Sequence, residues 1–208
     1  FTYDASLLEN TIVVAFEQLY LKGEDSPEEP DLPKDPERPI AVHEDPEDED
    51  QSIHYPEIRT SAAAADGDSK YIEAKGRITV RDRVLWENLI TGQEYRLKGS
   101  LMRKDTGEPF MTAGKAVASE AVFTAEESAG ETIIDFTFDS AEIEQELEKE
   151  GRDKTADSSL QSLALVAFEE LYVVKEEGEE LIAFHRDPED PAQTVILREP
   201  DKPEEPEE

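Results

Sequence analysis

The chain has 208 residues, no cysteine, and 53 acidic against 21 basic residues, for a formal net charge of −32. A polyanion of this strength repels nucleic acid, which excludes it as a partner, and argues against an anionic membrane surface, and without cysteine no disulfide can staple its modules. No stretch is long and apolar enough to cross a membrane.

Leu7 to Leu21 is apolar and rich in β-branched residues and reads as a buried strand, carrying Val14-Ala15-Phe16-Glu17 and then Leu19-Tyr20. Residues 22–39 form a proline-punctuated acidic loop, and the Pro/Glu/Asp runs at 24–37, 44–50 and 199–208 read as solvated loop or linker. Ile40 to Val42 starts a second strand that enters the turn His43-Glu44-Asp45-Pro46-Glu47-Asp48-Glu49-Asp50-Gln51, and Gln51-Ser52-Ile53 continues it.

A complete module starts at Pro56. Glu57 to Ala62 is a short strand with Ile58, Thr60 and Ala62 on one face, and residues 63–69 form a loop. Ile78, Val80, Asp82, Val84 and Trp86 then share a face at period two, so an aspartate points the same way as four large apolar side chains. A carboxylate so placed needs a partner or a raised pKa. Strands follow at Glu94 to Met102, Ala116 to Phe123 and Thr132 to Phe138, with turns at Thr91-Gly92 and Asp105-Thr106-Gly107. Ser140 to Arg152 reads as a short inserted helix capped by Ser140 and ended by Gly151. Leu163 to Val174 is a core strand containing Glu169, Leu181 to Phe184 its hairpin partner, and Gln193 to Leu197 a closing strand.

Two motifs recur in the same order. Val166-Ala167-Phe168-Glu169 with Leu171-Tyr172 repeats the first strand, and His185-Arg186-Asp187-Pro188-Glu189-Asp190-Pro191-Ala192-Gln193 repeats the acidic turn as His-x-Asp-Pro-Glu-Asp-x-x-Gln. Such a pattern is an internal duplication. The loop between Glu17 and His43 is longer than that between Glu169 and His185, as expected at a hairpin tip. The expected organisation is thus the back part of a truncated preceding repeat at 1–55, a complete repeat at 56–198 and a linker at 199–208. Short strands with regular turns predict an all-β, immunoglobulin-like β-sandwich in tandem repeat, with one short helix.

The complete module brings a hydroxyl on its first strand (Thr60), a carboxamide at its last (Gln193), an inward aspartate (Asp82), a glutamate in a core strand (Glu169) and a histidine (His185). If first and last strands run side by side, this set permits acyl transfer within the protein, with Thr60 attacking the Gln193 carboxamide, ammonia leaving and an ester joining the strands. Histidine and a carboxylic acid of raised pKa suit the proton transfers. The main alternative is calcium or zinc held by His185, Asp187 and Asp190, or by His43, Asp45 and Asp48, in a ligand-binding domain. Those spacings match neither an EF-hand nor a zinc motif, so no metal and no cofactor is expected. A Lys–Asn isopeptide link is disfavoured because the only asparagines are Asn10 and Asn88, neither on a closing strand. No nucleophile elbow, phosphate loop or cofactor fingerprint marks a turnover enzyme.

The Ile58-Arg59-Thr60 strand, Val80-Arg81-Asp82-Arg83-Val84, the Val166 to Glu169 strand and the run from His185 to Gln193-Thr194 resemble the ester-bond domains, also called VaFE or T-Q ester-bond repeats, in the stalks of Gram-positive surface adhesins. Ser61 stands where that family often carries a second threonine. The resemblance implies that Thr60 and Gln193 are the linked pair, that Asp82, Glu169 and His185 assist, and that Glu17, His43 and Gln51 are their equivalents in the truncated repeat. It further implies a wall-anchored stalk at the cell surface, with adjacent repeats of the same chain as neighbours and any host ligand bound through other domains.

Overall fold

The computed structural model describes residues 2, 4, 8–20, 39–143 and 162–198, and the chain divides into two units, Phe1–Tyr55 and Pro56–Glu208. The acidic loop through residue 38, most of the expected helix and the 199–208 run lie outside the described residues.

In the first unit the single strand expected over Leu7 to Leu21 is two, β1 (Thr11–Val14) and β2 (Glu17–Leu19). The break occurs where the partner changes. β2 pairs with β3 (Ala41–His43), whereas β1 pairs with β4 (Ser52–Tyr55). The acidic turn stands between the two ladders, and the Ala15 N–H donates to the Gln51 carbonyl at 3.0 Å to close the gap.

The second unit contains β5 (Glu57–Ala64), β6 (Tyr71–Glu73), β7 (Arg77–Glu87), β8 (Glu94–Arg103), β9 (Met111–Thr112), β10 (Lys115–Ala116), β11 (Ala118–Thr124), β12 (Gly130–Asp139), β13 (Leu163–Lys175), β14 (Gly178–His185) and β15 (Thr194–Arg198). One sheet has the order β12-β7-β5 and the other β11-β8-β13-β15-β6, with β14 also on β13. Each of β7, β8 and β12 buries alternate residues, so each sheet offers one apolar face. Val80, Val84, Ile134 and Phe136 from the first sheet and Leu97, Leu101, Leu165, Leu171 and Val195 from the second form one core, giving an all-β, sandwich-like unit.

Three details depart from the sequence expectations. Tyr71–Glu73 adds an edge strand parallel to β15, too short for alternation to reveal. The helical turn at 140–143 is capped by Asp139, whose carboxylate accepts the Ala141 N–H at 3.0 Å, rather than by Ser140. The first and last strands, which the acyl-transfer reading sets side by side, lie in different sheets, and the Ala62 N–H on β5 donates to the Ala192 carbonyl just ahead of β15 at 2.9 Å.

β13 positions everything that follows. One of its edges runs along β8 from Leu165 to Val173, while the other pairs β15 over Leu163–Val166 and β14 over Glu169–Lys175. The acidic turn fills the gap at Ala167 and Phe168, where the Ala167 N–H donates to the Gln193 carbonyl at 3.0 Å, as in the first unit. On β8, Gly99 pairs with Glu169. A Cβ at Gly99 would lie 2.7 Å from the Phe136 ring, which is buried and has nowhere to go. Gly99→Ala is therefore expected to destabilise the unit by about 1–3 kcal/mol in urea unfolding, with Gly67→Ala, open on all sides, as the near-neutral control.

Candidate functional site

Thr60 lies on the core face of β5 and is 5% exposed, while its neighbour Ser61, a rival hydroxyl, faces solvent opposite Arg83. Asp82 on β7 is fully buried and stands opposite Ala62, one diagonal step from Thr60, which pairs with Val84. The small side chain of Ala62 leaves room for the carboxylate. Across the core, Glu169 on β13 is also fully buried, with Gly99 as one ladder neighbour and His185 as the other. The inward direction of Asp82 follows the period-two expectation. The direction of Glu169 is not legible that way, because Val166 on the opposite face of β13 is buried as well.

Glu169 and Asp82 lie side by side, and no donor completes a hydrogen bond to Glu169 Oε1 or to either Asp82 oxygen. Burial raises the Asp82 pKa, opposed by the Glu169 contact, the Lys70 ammonium, the Ser61 N–H and His185. Burial, and then the Asp82 charge, push Glu169 well above the usual carboxylate range, against weaker pulls from Thr60 and Gln193. Two carboxylates in an apolar core cannot both be charged, so the pair holds one proton. The Thr60 hydroxyl, beside Glu169, has no hydrogen-bond partner of its own.

The Gln193 side chain is fully buried just ahead of β15. Its Nε2 donates to the Ala167 carbonyl at 2.6 Å, to Glu169 Oε2 at 3.2 Å and to the His185 carbonyl at 3.2 Å. Its Oε1 accepts the Asp187 N–H at 3.2 Å. The carbonyl oxygen thus faces a fixed donor and the nitrogen faces acceptors, which orients the carboxamide and polarises its C=O bond. His185 Nε2 is 3.4 Å from Asp190 Oδ2, and His185 Nδ1 is buried without a partner.

The acidic turn has its own internal logic. Asp187 Oδ1 accepts the Glu189 N–H at 2.9 Å and Asp190 Oδ1 accepts the Ala192 N–H at 2.7 Å. In the first unit Asp45 and Asp48 accept the Glu47 and Asp50 N–H groups, each at 2.9 Å. These are Asx-type turns, in which one oxygen of each aspartate holds the backbone of the turn. No group of three or more potential ligands converges among the described residues. Glu17 pairs with His43 in the register that joins Glu169 to His185, yet Glu17 and His43 are exposed and Gln51 is half-buried.

Two participants were not legible in sequence. The Asp187 contribution is a backbone N–H, which no side-chain pattern reports. Lys70 sends its ammonium to the carbonyls of Ala62 and of Ala192, the latter at 2.6 Å, and no side-chain motif marks it.

A search of curated proteins gave no match. Among solved structures the chain is similar to a bacterial adhesin from Mobiluncus mulieris described as containing intramolecular disulfide, isopeptide and ester bond cross-links. One crystal form aligns with a TM-score of 0.52 and 18% identity over 70% of this chain, and a second with 0.50 and 20% over the same share. The chain spans 58% of that adhesin chain in both, and at these identities the likeness concerns the fold. The family model described as T-Q ester bond containing domain matches twice, over residues 1–55 and 56–197, and the chain belongs to that family.

Proposed function

We propose that the second unit is a self-cross-linking structural module in which Thr60 and Gln193 become joined by an ester, with Asp82, Glu169 and His185 assisting. The observation that carries this reading is the selective burial of polar groups. Six polar or charged side chains are buried among the described residues, and four of them are Thr60, Asp82, Glu169 and Gln193. Burying such groups with incomplete hydrogen bonding costs stability, and a core retains them where chemistry needs them.

The reaction converts the Thr60 hydroxyl and the Gln193 carboxamide into an ester and one ammonia. Thr60 Oγ1 attacks the carboxamide carbon, and negative charge develops on Oε1, the atom facing the Asp187 N–H at 3.2 Å. The C–N bond then breaks and the nitrogen takes up a proton. Glu169 lies beside the Thr60 hydroxyl and 3.2 Å from Gln193 Nε2, so it touches both the group that loses a proton and the group that gains one. The hydroxyl proton ends on ammonia, and the carboxyl pair holds one proton before and after. His185, steadied by Asp190, favours the ionised form of Asp82. Burial then shields the product from hydrolysis.

The fold in this reading is immunoglobulin-like, residues 1–55 are the back part of a preceding repeat whose Glu17, His43 and Gln51 correspond to the second-unit set, and 199–208 is a linker. The module serves a wall-anchored surface adhesin of a Gram-positive bacterium as a stalk element, with neighbouring repeats of the same chain beside it. The adhesin likeness and the family membership support this. The ester closes a loop of roughly 130 residues, worth about 5 kcal/mol if the chain-entropy treatment of disulfides carries over, and tension on the chain bypasses the sheets.

Intact mass under denaturing conditions tests the bond. Wild type is expected to lack one ammonia relative to its sequence, and Thr60→Ala and Gln193→Ala to keep it. Full mass in wild type would leave a plain sandwich spacer.

The carboxyl pair gives a second expectation. The ordinary values are 3.8 for Asp82 and 4.5 for Glu169, and both are raised on folding. Their stabilising contribution is thus fully present below those ordinary values and is lost as pH rises through the raised folded values. In the ester-free Thr60→Ala background, melting temperature should fall more steeply from acid towards neutral pH than in Thr60→Ala/Glu169→Gln. The repulsion among exposed acids is common to both, so parallel curves would show that the pair is not protonated.

A further inference from the structure

We propose that Lys70 is a positioning residue for the cross-link: its ammonium ties the strand carrying Thr60 to the turn carrying Gln193, and serves as the counter-charge of Asp82. The inference rests on the ester reading and adds to it a residue that the Thr60–Gln193 chemistry does not itself require.

Lys70 Nζ donates to the carbonyl of Ala62, two residues beyond Thr60 on β5, and at 2.6 Å to the carbonyl of Ala192, immediately before Gln193. Around it the backbone makes the same connection once more, and a second backbone bond fixes Lys70 itself against β15. The Ala62 N–H reaches the Ala192 carbonyl at 2.9 Å, and the Ile196 N–H reaches the Lys70 carbonyl at 2.7 Å. Ala62 and Ala192 belong to segments on different sides of the sandwich, so Lys70 bridges the seam across which the ester must form. An ammonium, with three donors and no acceptor, suits a point where carbonyl oxygens converge.

The charge matters as much as the bridge. The groups facing Asp82 are Lys70, the Ser61 N–H, Glu169 on β13 and His185 on β14, and Lys70 in turn faces Asp190. Burial lowers the Lys70 pKa below its ordinary value, and the charges of Asp82 and Asp190 oppose that shift. A fixed positive charge beside Asp82 assigns the negative charge of the pair to Asp82 and the proton to Glu169. Glu169 is the member in contact with Gln193 Nε2, the atom that must be protonated to leave. Lys70 thus both aligns the strands and sets which carboxyl carries the proton.

The test follows the reaction in time. The full 208-residue chain is made in a short cell-free pulse, samples are quenched in acidic urea, and intact mass gives the fraction that has lost ammonia at each time and pH. Lys70→Met is expected to react about tenfold or more slowly, the equivalent of one pKa unit. The acid limb of its rate profile should move to higher pH, because Asp82 without its counter-charge takes up a proton more readily. Lys70→Arg should restore the limb. If Lys70→Met does not fold, Lys70→Gln, uncharged but still a donor, takes its place with the same expectation. A Lys70→Met or Lys70→Gln chain that reacts at the wild-type rate, or one slowed with its acid limb unmoved, overturns the inference and leaves the ester reading intact. Wild type that keeps its ammonia overturns both.

Discussion

The contact between the carboxyls of Asp82 and Glu169 is the constraint on which the second unit turns. Two acids in an apolar core, with no donor completing a hydrogen bond to Asp82 or to Glu169 Oε1, can coexist only if a proton lies between them. Every neighbouring feature bears on that proton. Ala62, the ladder neighbour of Asp82, is small, and the space beside Gly99, the neighbour of Glu169, is filled by the Phe136 ring. Leu97, Leu101, Leu165 and Leu171 exclude the water that would otherwise solvate both charges. The surrounding hydrophobic burial offsets the cost of such an arrangement.

A second constraint is the change of partner along β13. A strand that pairs β15 at one end and β14 at the other has two residues, Ala167 and Phe168, whose edge faces neither. The acidic turn plugs this gap. Its aspartates are consumed in holding backbone N–H groups, which fixes the Asp187 N–H and the Ala167 and His185 carbonyls around the Gln193 carboxamide. Part of the large negative charge of the chain is therefore turn architecture. Proline at 188 and 191 stiffens the same segment.

Much of this was legible in the sequence, for identifiable reasons. Asp82 stood out because its strand is buried on one face only, so alternation assigns direction without ambiguity. The acidic turn and the strand before it stood out because they occur twice. Glu169 did not declare its direction, since the central strand is covered on both sides at Val166. Whether β5 and β15 run side by side is not legible in sequence, because strand adjacency depends on which sheet edge is free, a property of the whole topology. Lys70 was invisible for a related reason. Its partners are backbone carbonyls of Ala62 and Ala192, one local and one distant, and carbonyls carry no sequence signal.

The two units separate what is local at this site from what is not. The backbone of the turn in the first unit follows that of the second: Ala15 to Gln51 matches Ala167 to Gln193 at 3.0 Å, and His43 meets Asp48 as His185 meets Asp190, but Gln51 Oε1 lacks the hydrogen bond that Gln193 Oε1 accepts. The geometry of the turn is thus set by its own residues. Burial is not. Glu17 is exposed and Gln51 half-buried where Glu169 and Gln193 are fully enclosed, and Ile12, Phe16, Leu19, Val42 and Ile53 are exposed. On the ester reading the turn places the glutamine backbone at the gap in its partner strand from the outset. The raised carboxyl pKa values and the threonine arrive only when β5 and β7 close over β13, so the reaction is conditional on completed folding, and a partly folded chain is protected from acylating the wrong hydroxyl.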